Sequence, residues 1–160
     1  MRFIALTVAL TASLVHLASA NLDIHHVGIG GNGITGNGEG WQVYEAQANC
    51  DNAKDWYWLD TDDASGRGAL CEGDGCGRGD DDSADDITVL EMNFTDGYHW
   101  TYYKSCNGDL VDTNDNPVGN CSPFPGPELN CGLTISRIEG YCKLRCIGDF
   151  IALDIDSHNN

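Results

Sequence analysis

The chain has 160 residues, with 8 Lys and Arg against 25 Asp and Glu and a formal net charge of −17. That length permits one domain with a modest core. The acidity argues against nucleic acid and anionic membranes as partners, because both are bound through Lys and Arg that displace counterions, and it suits a soluble monomer.

In chain order, Met1 and Arg2 supply a short positive segment, residues 3 to 15 are apolar apart from Thr and Ser, and Ala18-Ser19-Ala20 has the small-x-small form of a signal peptidase site. Residues 1 to 20 therefore read as a signal peptide, with Asn21 opening the mature chain and a secreted, extracellular destination. The apolar run is shorter than the roughly 20 residues of a membrane helix, and no later window approaches that length.

Residues 21 to 40, with a loose doubling of Gly-Asn-Gly, read as a Gly-rich N-terminal arm; the strand, Lys and helix of a phosphate loop are not signalled. A single disulfide-rich β domain is expected over residues 41 to 156, with 157 to 160 as a short polar tail. Trp41-Gln42-Val43-Tyr44 can open a strand, and Asp55 to Leu59 reads as a strand or as part of a short helix beginning near Asp51. Residues 87 to 94, 98 to 106 and 109 to 113 are β-prone runs separated by Thr95-Asp96-Gly97 and Asn107-Gly108. Asp-Gly and Asn-Gly tolerate the positive φ of tight hairpin turns, so this stretch reads as a three-stranded meander.

Residues 114 to 130 hold all four prolines and read as a loop pinned at Cys121 and Cys131. Residues 134 to 146 read as a strand with Cys142, Leu144 and Cys146 on one face and Tyr141, Lys143 and Arg145 on the other. Ile151, Leu153 and Ile155 alternate as a final strand. The fold class is mostly β: a compact, disulfide-stapled antiparallel fold, sandwich or barrel, with a central meander and room for one short helix.

All eight cysteines, Cys50, Cys71, Cys76, Cys106, Cys121, Cys131, Cys142 and Cys146, follow the leader. An even count in an oxidising compartment predicts up to four disulfides, each worth about 2–4 kcal/mol, mainly by restricting the unfolded chain. Eight cysteines allow about 105 pairings, so connectivity stays open. Zinc is the competing use, but no C-x2-C pair occurs and no His accompanies Cys142 and Cys146.

No metal, cofactor or catalytic residue is assigned from the sequence. The acidic stretches around Asp60, Asp62 and Asp63 and at 80 to 86 fail calcium-loop grammar: counting from Asp60, the sixth position is Ser65 and the twelfth Cys71. They read as solvated loops, and Arg78-Gly79-Asp80 reads as a chance tripeptide. Asn93-Phe94-Thr95 is the better of two glycosylation sequons, because Cys121 sits inside the other. His25 and His26 do not match an amino-terminal copper motif. His99 could pair with Glu91 across the hairpin, as acid and base of a small hydrolase. Trp56, Trp58, His99 and Tyr103 are the candidate ligand-facing rings; if Trp100 and Tyr102 point inward, His99 and Tyr103 point out.

The leader, the eight cysteines, the mature length and the lack of enzymatic motifs resemble small secreted cysteine-rich proteins of filamentous fungi, many of them effectors. The resemblance is at the level of a class and brings no site residues. It implies a non-enzymatic interaction protein acting on an extracellular protein or glycan of a host or competitor. An extracellular carbohydrate-binding module and a small secreted hydrolase are the alternatives.

Overall fold

The computed structural model describes residues 20–31, 34–45, 47–79, 82–134 and 136–156. The expected signal peptide except Ala20, Asp80 and the expected tail at 157–160 lie outside the described residues. The elements are β1 (Ala20–Gly31), β2 (Ile34–Tyr44), β3 (Trp58–Leu59), β4 (Gly68–Gly73), β5 (Ile87–Thr95), β6 (Tyr98–Tyr103), β7 (Asp109–Asp112), β8 (Pro117–Pro123), β9 (Leu129–Gly132), β10 (Arg137–Gly148) and the short helix α1 (Ala152–Asp156). Short 3-10 turns at Asp74–Cys76, Ala84–Asp86 and Lys104–Cys106 link some of them.

All strands pair antiparallel, in the order β3-β2-β1-β10-β8-β7-β6-β5-β4, with β9 against the first part of β10. A parallel bridge between Asp60 and Ala69 joins the two ends of that order. The sheet is thus a nearly closed barrel, which leaves little unpaired edge and settles the choice between sandwich and barrel. Its interior is filled by alternate residues of each wall: Leu22 and Ile24 from β1, Trp41 and Val43 from β2, Leu90, Met92 and Phe94 from β5, and Trp100 and Tyr102 from β6. Leu110, Leu144 and Cys146 complete it, and Phe150, Ala152 and Ile155 from the α1 region join the same cluster.

The meander forms as β5, β6 and β7, and its turns explain why. Gly97, Asn107 and Gly108 all have positive φ, at 85°, 56° and 82°, the backbone that these residue types tolerate. Trp100 and Tyr102 are buried, while His99, Thr101 and Tyr103 lie on the opposite face.

Elsewhere the structure corrects the expectations. Residues 21 to 40 are not an arm: they supply most of the β1–β2 hairpin, in the middle of the sheet. Their glycines serve close approach, since a Cβ on Gly40 would stand 2.0 Å from the Trp58 carbonyl oxygen and one on Gly38 1.5 Å from the Tyr57 hydroxyl. Of Asp55 to Leu59 only Trp58–Leu59 is strand. The Pro-rich stretch contains β8, flanked by Pro117 and Pro123, so the missing N–H groups fall at its ends. Where a final strand was expected, Ala152–Asp156 is helical: Ala152 and Ile155 are buried at i, i+3 while Ile151, just before it, and Leu153 are exposed.

Three disulfides form, Cys50–Cys131, Cys71–Cys76 and Cys121–Cys146, and the fourth bridge does not. Cys106 is an exposed thiol in the turn after β6, whereas Cys142 is buried in β10. Cys121–Cys146 joins facing positions on β8 and β10. Cys50–Cys131 ties the segment after β2 to β9, over a second apolar cluster of Val27, Tyr44, Leu129, Cys131 and Ile138. Tyr44 points away from Trp41 and Val43, so this cluster covers the outer face of the β1–β2 wall.

Candidate functional site

The wall formed by β2, β1 and β10 carries different chemistry at its two ends. On the inward face of β1, Leu22 and Ile24 are followed, after a register shift between Ile24 and His25, by His26 and Gly28. The facing positions on β2 pass from Val43 and Trp41 to Glu39, and those on β10 from Leu144 to Tyr141 and Glu139. The barrel interior therefore becomes polar at one mouth.

His26 is only 3% exposed and its ring stacks on Trp41 at a centroid distance of 4.6 Å. Asp60, beside the Asp60–Ala69 bridge, reaches both: His26 Nε2 lies 2.9 Å from Oδ2, and Trp41 Nε1 donates to Oδ1 at 2.5 Å. Burial pushes the Asp60 carboxyl upward, but the His26 contact and the Trp41 hydrogen bond outweigh it and hold the group below the ordinary carboxylate range. Glu39 completes a trio whose donor atoms all lie within 4.8 Å of one another. Arg78 bridges Glu39, at 3.2 Å, and Glu139, at 3.8 Å. A cavity of about 430 Å³ opens beside the trio, lined also by Thr61, Asp62, Leu70 and the Cys71–Cys76 bridge. A carboxylate-rich mouth with one imidazole can bind a cation, or hold and pass a proton.

On the outer face of the same wall, the polar groups are mostly buried and paired with one another. Asp23, fully buried, accepts both of its Arg145 hydrogen bonds at 2.7 Å, and Arg145 stacks 3.6 Å over the Phe124 ring. His25 lies opposite Cys142 and Gln42 in the sheet register. Burial lowers the His25 pKa to about 4, despite Asp23 nearby, and pushes the Cys142 thiol up to about 12. A protonated thiol beside a neutral imidazole, both out of solvent, is structural rather than nucleophilic.

The residues singled out from sequence do not assemble into one site. Trp58 stacks on Phe94 at 5.1 Å against the barrel core and meets Trp56 edge-on at 5.7 Å and 88°. His99 and Tyr103 stand on the outer face of β6, so the four rings share no surface. The Glu91–His99 pair does form, at 2.7 Å, on the outer wall of the meander. Asn93 donates its amide nitrogen to the Ala64 carbonyl at 3.0 Å and accepts from Arg67, so a glycan on that nitrogen would displace these bonds. Asp63 and Asp112 accept donors from their own turns, namely Ser65 and then Asn114 and Asn116.

His26, Glu39, Asp60 and Arg78 form the site that the sequence did not bring together. His26 and Asp60 are 34 positions apart, and no local spacing links them. The one available signal was a His and a Glu at alternate positions continuing apolar strand faces. No family model, no curated protein and no solved structure matches the chain.

Proposed function

We propose that this is a secreted, non-enzymatic interaction protein of the effector-like kind, and that its partner is a cationic extracellular component of a host or competitor. The observation that carries this reading is the fate of the positive charges. Among the described residues every Lys and Arg is held by the chain's own acceptors. Arg67, Arg78, Arg137 and Arg145 pair with Asp96, Glu39 and Glu139, Glu139, and Asp23. Lys54, Lys104 and Lys143 donate to the carbonyl oxygens of Val43, Asp85 and Asp82. The four guanidinium charges are thus offset by carboxylates, and with 25 Asp and Glu in the chain the net charge offered outward is strongly negative. Such a surface steers basic partners and repels acidic ones.

The other two readings draw less support. Stacking on sugars needs rings presented together, and the four candidates are split between the core side and the outer wall. A hydrolase built on Glu91 and His99 would place its acid and base on the outer wall of the meander, apart from the cavity at the barrel mouth.

The test is capture from host extracellular fluid by the immobilised mature chain at about 50 mM and about 500 mM salt, where screening lengths differ about threefold. Basic proteins or peptides retained at low salt and released at high salt support the proposal. A captured partner that is acidic, or that survives high salt unchanged, overturns it.

A further inference from the structure

We infer that the barrel mouth is a binding site for a single divalent transition-metal ion of the zinc type, held by His26 Nε2, Asp60 Oδ2 and a Glu39 carboxylate oxygen. The three residues come from β1, from the seam next to β3, and from β2, so the fold itself brings them together. One imidazole nitrogen and two carboxylate oxygens is a donor set that zinc accepts, whereas calcium seeks six to eight oxygens.

The geometry needs little change. Tetrahedral zinc with bonds of about 2.0–2.1 Å places neighbouring ligand atoms roughly 3.4 Å apart. His26 Nε2 and Asp60 Oδ2 are already 2.9 Å apart, sharing a proton that the metal would replace, and the trio spans at most 4.8 Å. Both carboxylates are exposed, and Arg78 holds Glu39 through Oε1 alone, so the Glu39 carboxylate can turn to close that gap.

Two features beyond the trio fit a metal site. Trp41 Nε1 donates to Asp60 Oδ1, the oxygen the metal would not use, and fixes the carboxylate in the way that orients metal ligands. The His26 ring is oriented by its stack on Trp41 at 4.6 Å, which keeps Nε2 directed at Asp60, although its Nδ1 is buried with no hydrogen-bond partner and would carry an unpaired N–H once Nε2 binds metal. The fourth position faces the cavity of about 430 Å³ and can take water or a partner's side chain.

The probe is Zn²⁺ itself, titrated into the chelator-treated mature protein by calorimetry, with Trp fluorescence followed in parallel because Trp41 touches two of the ligands. One saturable Zn²⁺ per chain is expected, with a melting temperature that rises on loading and returns on chelation. Glu39→Gln, an exposed change that leaves the core intact, should weaken binding about tenfold or more. Asp60→Asn, which keeps an oxygen for Trp41, should weaken it further. Asp115→Asn, in the turn between β7 and β8, serves as a control away from the trio and should bind like the parent. Absence of saturable binding up to about millimolar Zn²⁺ overturns the inference, as does equal weakening by Asp115→Asn, which would show diffuse counterion attraction. Failure here leaves the capture experiment above untouched, since that reads the whole surface and not the trio.

Discussion

His25 and His26 are neighbours in the chain and live in opposite environments. His25 points outward, beneath the second layer, beside Asp23, Arg145 and Cys142, where every charge is paired or suppressed. His26 points inward at the barrel mouth, toward Asp60, Glu39 and an open cavity. One face of a strand has been closed over to stabilise the wall, and the other has been left accessible. Burial alone does not separate them, since both rings are nearly inaccessible. What separates them is the solvent exposure of their partners: Asp23 is 1% exposed at its side chain, Asp60 44%.

That contrast can be broken by substitution. The largest loss should come from the disulfide of the outer layer. Cys50–Cys131 closes a loop with a sequence separation of 81, and chain-entropy reasoning assigns it about 4.5 kcal/mol. At the mouth, Cys71–Cys76 has a separation of 5 and should contribute only about 2 kcal/mol. Urea unfolding of the two double Cys→Ser variants measures both, and equal losses would show that the outer layer does not depend on its staple.

Next, Asp23→Ala should cost about 3 kcal/mol by leaving Arg145 without its buried partner, whereas Asp62→Ala at the mouth should change stability by less than about 0.5 kcal/mol. Thermal melts of the pair test this directly.

The acid response sharpens the contrast further. Unfolded His25 takes a proton near pH 6.5, while folded His25 stays neutral until about pH 4. The unfolded chain therefore binds more protons between those values, and stability should fall by about 3 kcal/mol as pH drops from about 6.5 to about 4, then cease to fall on this account. His25→Gln should flatten that segment of the stability profile. Asp60, whose carboxyl is held below its usual range, acts at lower pH: its contribution is present above about pH 4 and is lost as pH falls through its folded value.

The smallest expected change is chemical. In the folded protein one thiol, Cys106, should react with a maleimide, and Cys142 should react only after denaturation, because it is 3% exposed and its pKa is pushed up to about 12. Two fast equivalents by mass spectrometry would mean that the outer cluster opens readily.

The meander was legible from sequence because its order is local. Asp96-Gly97 and Asn107-Gly108 set the turns, and strict alternation then sends Trp100 and Tyr102 inward. The β1–β2 hairpin was not, because strand identity in a Gly-rich segment depends on what lies against it, here Tyr57 on Gly38 and Trp58 on Gly40. Helix α1 shows the same limit at the other end of the chain. Five residues with apolar positions at 151, 153 and 155 fit a strand until Phe150 and Ile155 are seated on the barrel core.

By itself the amino-acid sequence determined the mostly β character, the central meander, a stability strategy based on disulfides and a strongly negative charge, because these follow from composition, alternation and turns of two or three residues. Tertiary structure alone decided that the sheet closes into a barrel, which six cysteines pair, and that His26, Glu39 and Asp60 meet. Those outcomes depend on contacts between residues tens of positions apart, and strand register at the seam, rather than any local spacing, sets them.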